Sequence, residues 1–167
     1  QYKQSQNLLR SISFELTYLE EILQLEHELF PIYSKLDEGF LSDGTNSHLD
    51  IFGELSRIRQ ELDNLFSRHQ RDREYKHLQL RYLYLEGRYF IRSGEYQKGI
   101  HDIQKVISYA RELKQSDFLL EGYRQIIYYC IQTENISEMA YYTDLALEDA
   151  IQANNHEVIA IQLRLKG

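Results

Sequence analysis

"YLEGRYFIRSGEYQKGI", residues 84–100, sets three glycines, Gly87, Gly94 and Gly99, in a run otherwise made of helix formers, with Arg88 and Arg92 between them. A glycine inside a helix costs about 1 kcal/mol relative to alanine. Three so close together call for a structural reason. Glycine supplies one of two things here: room for another backbone to come close, or a left-handed residue that ends a helix.

Outward from this stretch, apolar residues recur at helical spacing almost everywhere. Leu9, Ile12, Leu16, Leu19, Leu23 and Phe30 form one stripe from about residue 4 to Pro31. Ile51, Phe52, Leu55, Ile58, Leu62, Leu65 and Phe66 form a second, over about 47–69. Between them "LDEGFLSDGTNS" clusters Asp, Gly, Ser and Asn and predicts a loop over 31–46. Ser47 followed by Asp50 resembles a helix N-cap with an acidic first turn. Further helices are expected at about 72–93, 97–114, 117–132, 137–153 and from 156 onward. Gly94 suits a left-handed closing residue, Ser116 a cap, and Asn135 with Glu138 a capping box. No segment alternates at period two, so the fold class is all-α.

The chain also matches itself. A shift of 40 residues sets Phe90 on Cys130, Ile91 on Ile131, Tyr96 on Ile136, Ile107 on Leu147 and Ala110 on Ala150. A shift of 80 sets "LYLEG" at 83–87 on "LRLKG" at 163–167. Residues 83–107 thereby resemble the tetratricopeptide repeat, in which a small residue of the first helix admits the second. Gly87 stands at that place, Phe90 at the aromatic place one turn later, Gly94 and Tyr96 at the turn, and Gly99 where the family has alanine. Glu86, Leu83 and the absent closing proline depart from the family pattern, as does a period of 40 instead of 34. In the second copy Ile127 and Glu134 replace two of the glycines. The resemblance covers 72–167, with a third repeat cut short at Gly167, and residues 1–70 form a helix pair packed on the repeats. It implies antiparallel helix pairs stacked as a right-handed superhelix.

Composition bounds the function. The 167 residues carry a net charge of −7, with 27% charged and 43% hydrophobic side chains. That composition is globular. The acidity lies in residues 1–67, with 12 acidic and 5 basic side chains against 14 of each in 68–167. A net-acidic surface is a poor match for DNA phosphates, so no direct nucleic-acid contact is expected. The apolar runs are too short to span a bilayer. One cysteine, Cys130, permits no internal disulfide and suits a cytoplasmic location. The Asn135-Ile136-Ser137 sequon is taken as chance.

Chemistry is sparse. His27, His48, His69, His77, His101 and His156 form no ligating pair, and Cys130 has no partner ligand, so no metal or cofactor is expected. Nothing selects a carboxylate pair for acid–base work, so no enzyme is expected. Cys130 falls on a core position and is expected to be buried. One face stands out. At 100° per residue, Arg73, His77, Arg81, Tyr84, Arg88 and Arg92 share a sector of about 100°, opposite Leu78, Tyr82, Leu85 and Tyr89. In tetratricopeptide arrays the first helices of successive repeats line the concave groove. The resemblance therefore places Arg81, Tyr84, Arg88 and Arg92 on that surface, with Arg124, Tyr128 and Gln132 from the second repeat and Arg164 from the third. Guanidinium forks can hold a carboxylate in bidentate fashion, so the expected partner is a peptide or protein segment with an acidic group. An ordinary solvated face is the alternative. Tyr82, Tyr89 and Tyr123 are expected to pack between helices, and Tyr141 and Tyr142 to serve core or a dimer face. A homodimer is compatible with the spacing 51, 55, 58, 62, 65, 69, which also suits a plain core stripe.

Long-period arrays of this kind are similar to the C-terminal halves of bacterial peptide-responsive transcription regulators. There a helix-turn-helix module would precede Gln1, and a peptide in the groove would shift the population of conformations. The alternative is a scaffold that drives assembly or regulates an attached kinase or cyclase following Gly167.

Overall fold

Among the described residues, six helices follow from the apolar spacing. The computed structural model describes residues 2–38, 45–68 and 73–152. They form α1 (Tyr2–Glu38), α2 (Thr45–Arg68), α3 (Arg73–Arg92), α4 (Tyr96–Leu113), α5 (Ser116–Gln132) and α6 (Ile136–Gln152). The described residues contain no strand. The chain divides into two compact units, Gln1–Gln79 and Leu80–Gly167. The boundary falls inside α3. Arg164 and the expected third repeat lie outside the described residues, as do most of the 39–46 loop and the side chain of Ser47.

In the first unit α1 and α2 pair antiparallel. Tyr18, Ile22, Leu25, Leu29, Ile32 and Leu36 are buried together with Ile51, Leu55, Ile58, Leu62 and Leu65. Ion pairs flank this core in order: Lys35 with Glu54 at 2.5 Å, Glu28 with Arg57 at 2.5 Å, and Glu21 with Arg68 at 2.7 Å. Arg57 also meets Glu61 at 2.6 Å. The donated bonds from Gln24 and Arg57 hold the Glu28 carboxyl below the usual range. Beyond α2, the Phe66 and Tyr75 rings lie 5.0 Å apart.

One reading of this unit is corrected. The loop does not begin at 31, because α1 runs through Pro31 to Glu38. An internal proline removes one backbone bond and costs roughly 3 kcal/mol. Ile32 and Leu36 lie one and five residues later and are completely buried. Two such side chains contribute about 1.5–3 kcal/mol each, which offsets the proline. Pro31 is itself exposed. The stripe Leu9–Ile12–Leu16–Leu19–Leu23–Phe30 does not face the core. All six are exposed. The core uses the other apolar row, from Tyr18 to Leu36. On α2 the stripe at 51, 55, 58, 62 and 65 is the core itself.

In the second unit α4 packs on α5, and α5 on α6. The glycines explain how. A Cβ placed on Gly99 would sit 2.8 Å from the Gly87 carbonyl oxygen and 2.7 Å from Ile91 Cγ1. One on Gly87 would sit 2.8 Å from Ile103. The backbones of α3 and α4 therefore cross where only glycine fits. Gly122 repeats the device where α5 meets Ile107 of α4, at 2.7 Å. Register shifting by 40 residues pointed to Ile127 instead, so this glycine was missed.

The turns recur at an even step. Gly94, Lys114 and Glu134 all have positive φ, at 87°, 56° and 55°. Asn135 caps α6 through its Oδ1, which accepts from the Glu138 N–H at 3.3 Å, while its amide donates to Glu138 Oε2 at 2.6 Å. Ser116 does not cap α5; Gln115 holds the cap position without a side-chain bond. A left-handed non-glycine residue costs about 1–2 kcal/mol. Glu134→Gly is therefore expected to raise stability by about 0.5–1 kcal/mol, after allowing for glycine's greater freedom in the unfolded chain. Urea unfolding checks this, and a lower midpoint would refute it.

Candidate peptide-binding face

Tyr84 ties α3 to α5. Its hydroxyl donates to Glu121 Oε2 at 3.1 Å, and its ring meets Phe118 edge-on at 5.7 Å. The Arg88 guanidinium lies over the same ring, 5.4 Å from its centre. Glu121 in turn accepts from Arg124 Nη1 at 2.6 Å. A second set of long contacts ties α4 to α6. Arg111 forks onto Asp149 with bonds of 2.8–3.1 Å, and Gln104 donates to the Tyr142 hydroxyl at 3.1 Å. Alternate helices thus touch, α3 with α5 and α4 with α6.

Burial separates the expected site residues into two groups. Tyr84 and Arg88 are 5% and 6% exposed. They do not line an open surface. Residues 82–91 are buried without interruption, so α3 is covered on every side over that stretch. A sector of arginines on a helical wheel marks a solvated face only when one side of the helix is free. Arg92 is half-buried and Arg81 exposed. Arg124, Tyr128 and Gln132, spaced four apart on α5, are all exposed. Tyr128 is 44% exposed, and Ile131 beside it 58%. Ile131 and Glu121 were not among the expected site residues. Ile131 matched Ile91 in the 40-residue shift, and Ile91 is buried.

The family models, the curated proteins and the solved structures contain no match to this chain.

The α5 stripe offers a fork, a flat ring, an aliphatic surface and an amide within one row. Surface pairing of Arg124 with Glu121 is worth at most about 1 kcal/mol and can be exchanged for another carboxylate. Tyr128 and Ile131 give apolar contact area and Gln132 a donor and acceptor for backbone amides.

Two other places carry polar groups in or beside a recess. An open cleft of about 480 Å³ lies where α4 turns into α5, lined by Arg111, Lys114, Ser116, Leu119 and Asp149 among others. Its Arg111 and Asp149 already satisfy one another. The Tyr123 hydroxyl accepts from Arg111 at 2.5 Å and donates to Asp149 at 2.5 Å. Burial first, and then the Asp149 carboxylate, push the Tyr123 phenol far up, so it stays protonated as a fixed donor. Cys130 is buried, and burial together with the Glu138 carboxylate raises its thiol. A thiol so placed packs as a small apolar group. Among the described residues no group of three His, Cys, Asp or Glu side chains can hold a metal ion, and no helix is long and apolar enough to cross a membrane.

Proposed function

We propose that this chain is a peptide- or protein-binding helical-repeat domain, a TPR-like superhelix whose binding face is carried by α5. The observation that carries it is the exposed row Arg124–Tyr128–Ile131–Gln132, set on a helix that its neighbours hold through Tyr84 and Phe118. The helical crossings at Gly87, Gly99 and Gly122 support the repeat, because they give consecutive helices the close approach that stacking needs. The partner is an extended segment with a carboxylate near an apolar side chain. In its fullest form the proposal makes this the cytoplasmic sensory part of a bacterial transcription regulator, with DNA contact left to another module.

An array of octapeptides, each with a free C-terminal carboxylate or an amide, tests the face. Binding is expected to prefer the carboxylate series and to fall at least tenfold in Arg124→Glu/Tyr128→Ala. Peptide binding indifferent to that double variant, or absent up to millimolar concentration, would remove the proposal.

A further inference from the structure

The carboxylate of Glu121 stands between the core and the exposed row of α5. Its Oε2 accepts from the Tyr84 hydroxyl at 3.1 Å, and its Oε1 accepts from Arg124 Nη1 at 2.6 Å. The two donors differ in freedom. Tyr84 is buried, its ring edge-on to Phe118 and covered by the Arg88 guanidinium. Arg124 lies open, with 53% of its side chain exposed against 34% for Glu121. Tyr84 therefore fixes the carboxylate, and the arginine is the member able to turn toward a ligand. Among the described residues, the bond to Glu121 is the polar contact that the Arg124 guanidinium makes. Its other N–H donors remain for a ligand.

Charge gives the row a direction. The charged side chains of α5 are Asp117, Glu121 and Arg124. They are spaced four and three apart, so they share one face. From Arg124 toward the C-terminal end, that side of the helix continues through Tyr128, Ile131 and Gln132 without a charge. An anion reaching Arg124 from the N-terminal side meets two carboxylates, and from the C-terminal side it meets none on α5. Arg124 to Ile131 is a rise of about 10 Å, or roughly three residues of extended chain.

We propose that Glu121 is a built-in competitor for Arg124, and that it sets how strongly the α5 face prefers a carboxylate. This rests on the peptide-binding reading of that face and names its selectivity. A ligand carboxylate has two ways to reach Arg124, and Glu121 opposes both. Taking Nη1 breaks the bond at 2.6 Å and leaves the half-buried Glu121 charge with the Tyr84 hydroxyl as its donor. Taking another edge of the guanidinium sets two carboxylates around one cation, where like charges repel. A simple anion gains little against that opposition. A ligand that also covers Tyr128 and Ile131 adds apolar contact and overcomes it. Such a ligand lies with its carboxylate at Arg124 and its apolar side chain about two or three residues away along its chain.

Fluorescence anisotropy of the full chain with the tightest free-acid octapeptide of the array, and with its C-terminal amide, reads this selectivity. The quantity is the amide dissociation constant divided by that of the free acid. Glu121→Gln removes the charge and keeps an oxygen for the Tyr84 hydroxyl, so its urea midpoint should match the wild type. It is expected to tighten the free acid about three- to fivefold and to leave the amide within about twofold. Asp117→Asn removes the same charge one turn further from Arg124, and should move the ratio by less than about twofold. A ratio that stays level or falls in Glu121→Gln, or rises equally in Asp117→Asn, would overturn the proposal while the binding face stands. So would an amide that tightens as much as the acid, since Glu121 would then act on the shape of the face and not through Arg124. Binding of neither series to the wild type or to Glu121→Gln would remove the face itself, and the competitor with it.

Discussion

Gly99→Ala is expected to lower the stability of the Leu80–Gly167 unit by about 1–2 kcal/mol, although the substitution adds a single methyl group. That methyl would lie 2.8 Å from the Gly87 carbonyl oxygen and 2.8 Å from the Ile91 nitrogen, both backbone atoms, besides 2.7 Å from Ile91 Cγ1. Side chains can rotate away, but two helix backbones can only separate, and α3 is packed too closely to move without loosening its other contacts. Overpacking of this kind costs about 1–3 kcal/mol and sometimes more. The gain from alanine's better helix propensity, about 1 kcal/mol, offsets only part of it. For a unit of this size each kcal/mol moves the midpoint by about 4–8 °C, so a thermal melt should shift down by roughly 5–15 °C. Gly53→Ala is the control. Gly53 lies inside α2 with nothing within 4 Å of an added Cβ, so alanine there should stabilise by about 0.5–1 kcal/mol. Equal behaviour of the two variants would refute the crossing as the reason for the glycine.

The same contrast explains how much of the fold was legible in the sequence. Gly87, Gly94 and Gly99 carried a cost that only a crossing or a turn could justify, and the structure has both. Helix limits from 72 to 153 fell within a residue or so of those observed, because left-handed residues and caps punctuate that part. Pro31 was misjudged because a local rule met a tertiary term. Its effect is confined to one turn, while Ile32 and Leu36 bury fully against α2. Which α1 row meets α2 was not legible for a different reason. α1 has two apolar rows, and periodicity alone cannot say which of them meets α2. Only the pairing of Arg68 with Glu21, Arg57 with Glu28 and Lys35 with Glu54 fixes the face.

The candidate site was legible in part for a similar reason. The family resemblance placed Arg124, Tyr128 and Gln132 on one face, and those residues are exposed. The same resemblance placed Tyr84 and Arg88 there, and they are buried. A helix flanked by neighbours on all sides has no solvated sector, however its charges are arranged. Ile131 escaped notice because an apolar residue is assumed to be core until exposure is known.

Arg88→Glu is therefore expected to act on folding and not on a surface. The guanidinium sits over the Tyr84 ring with 6% of the residue exposed, and the Tyr84 hydroxyl is bonded to Glu121. Reversal would bury a carboxylate that faces the electron-rich side of a ring and lies in the same cluster as Glu121. Breaking a buried charged interaction by removing one partner costs about 3–5 kcal/mol, because the remaining group is left uncompensated. A loss of that size is a large share of the roughly 5–15 kcal/mol of a whole domain, so the variant should unfold well below the wild-type midpoint or fail to accumulate. Arg124→Glu/Tyr128→Ala should change stability by less than about 1 kcal/mol, since both side chains are open to solvent and Arg124 loses only a surface pair. Paired urea titrations by circular dichroism separate the two outcomes. If Arg88→Glu unfolds with the wild-type midpoint, the arginine faces solvent in solution and belongs with the binding row after all. If the double variant is the one that collapses, the α5 row is part of the core and cannot hold a peptide.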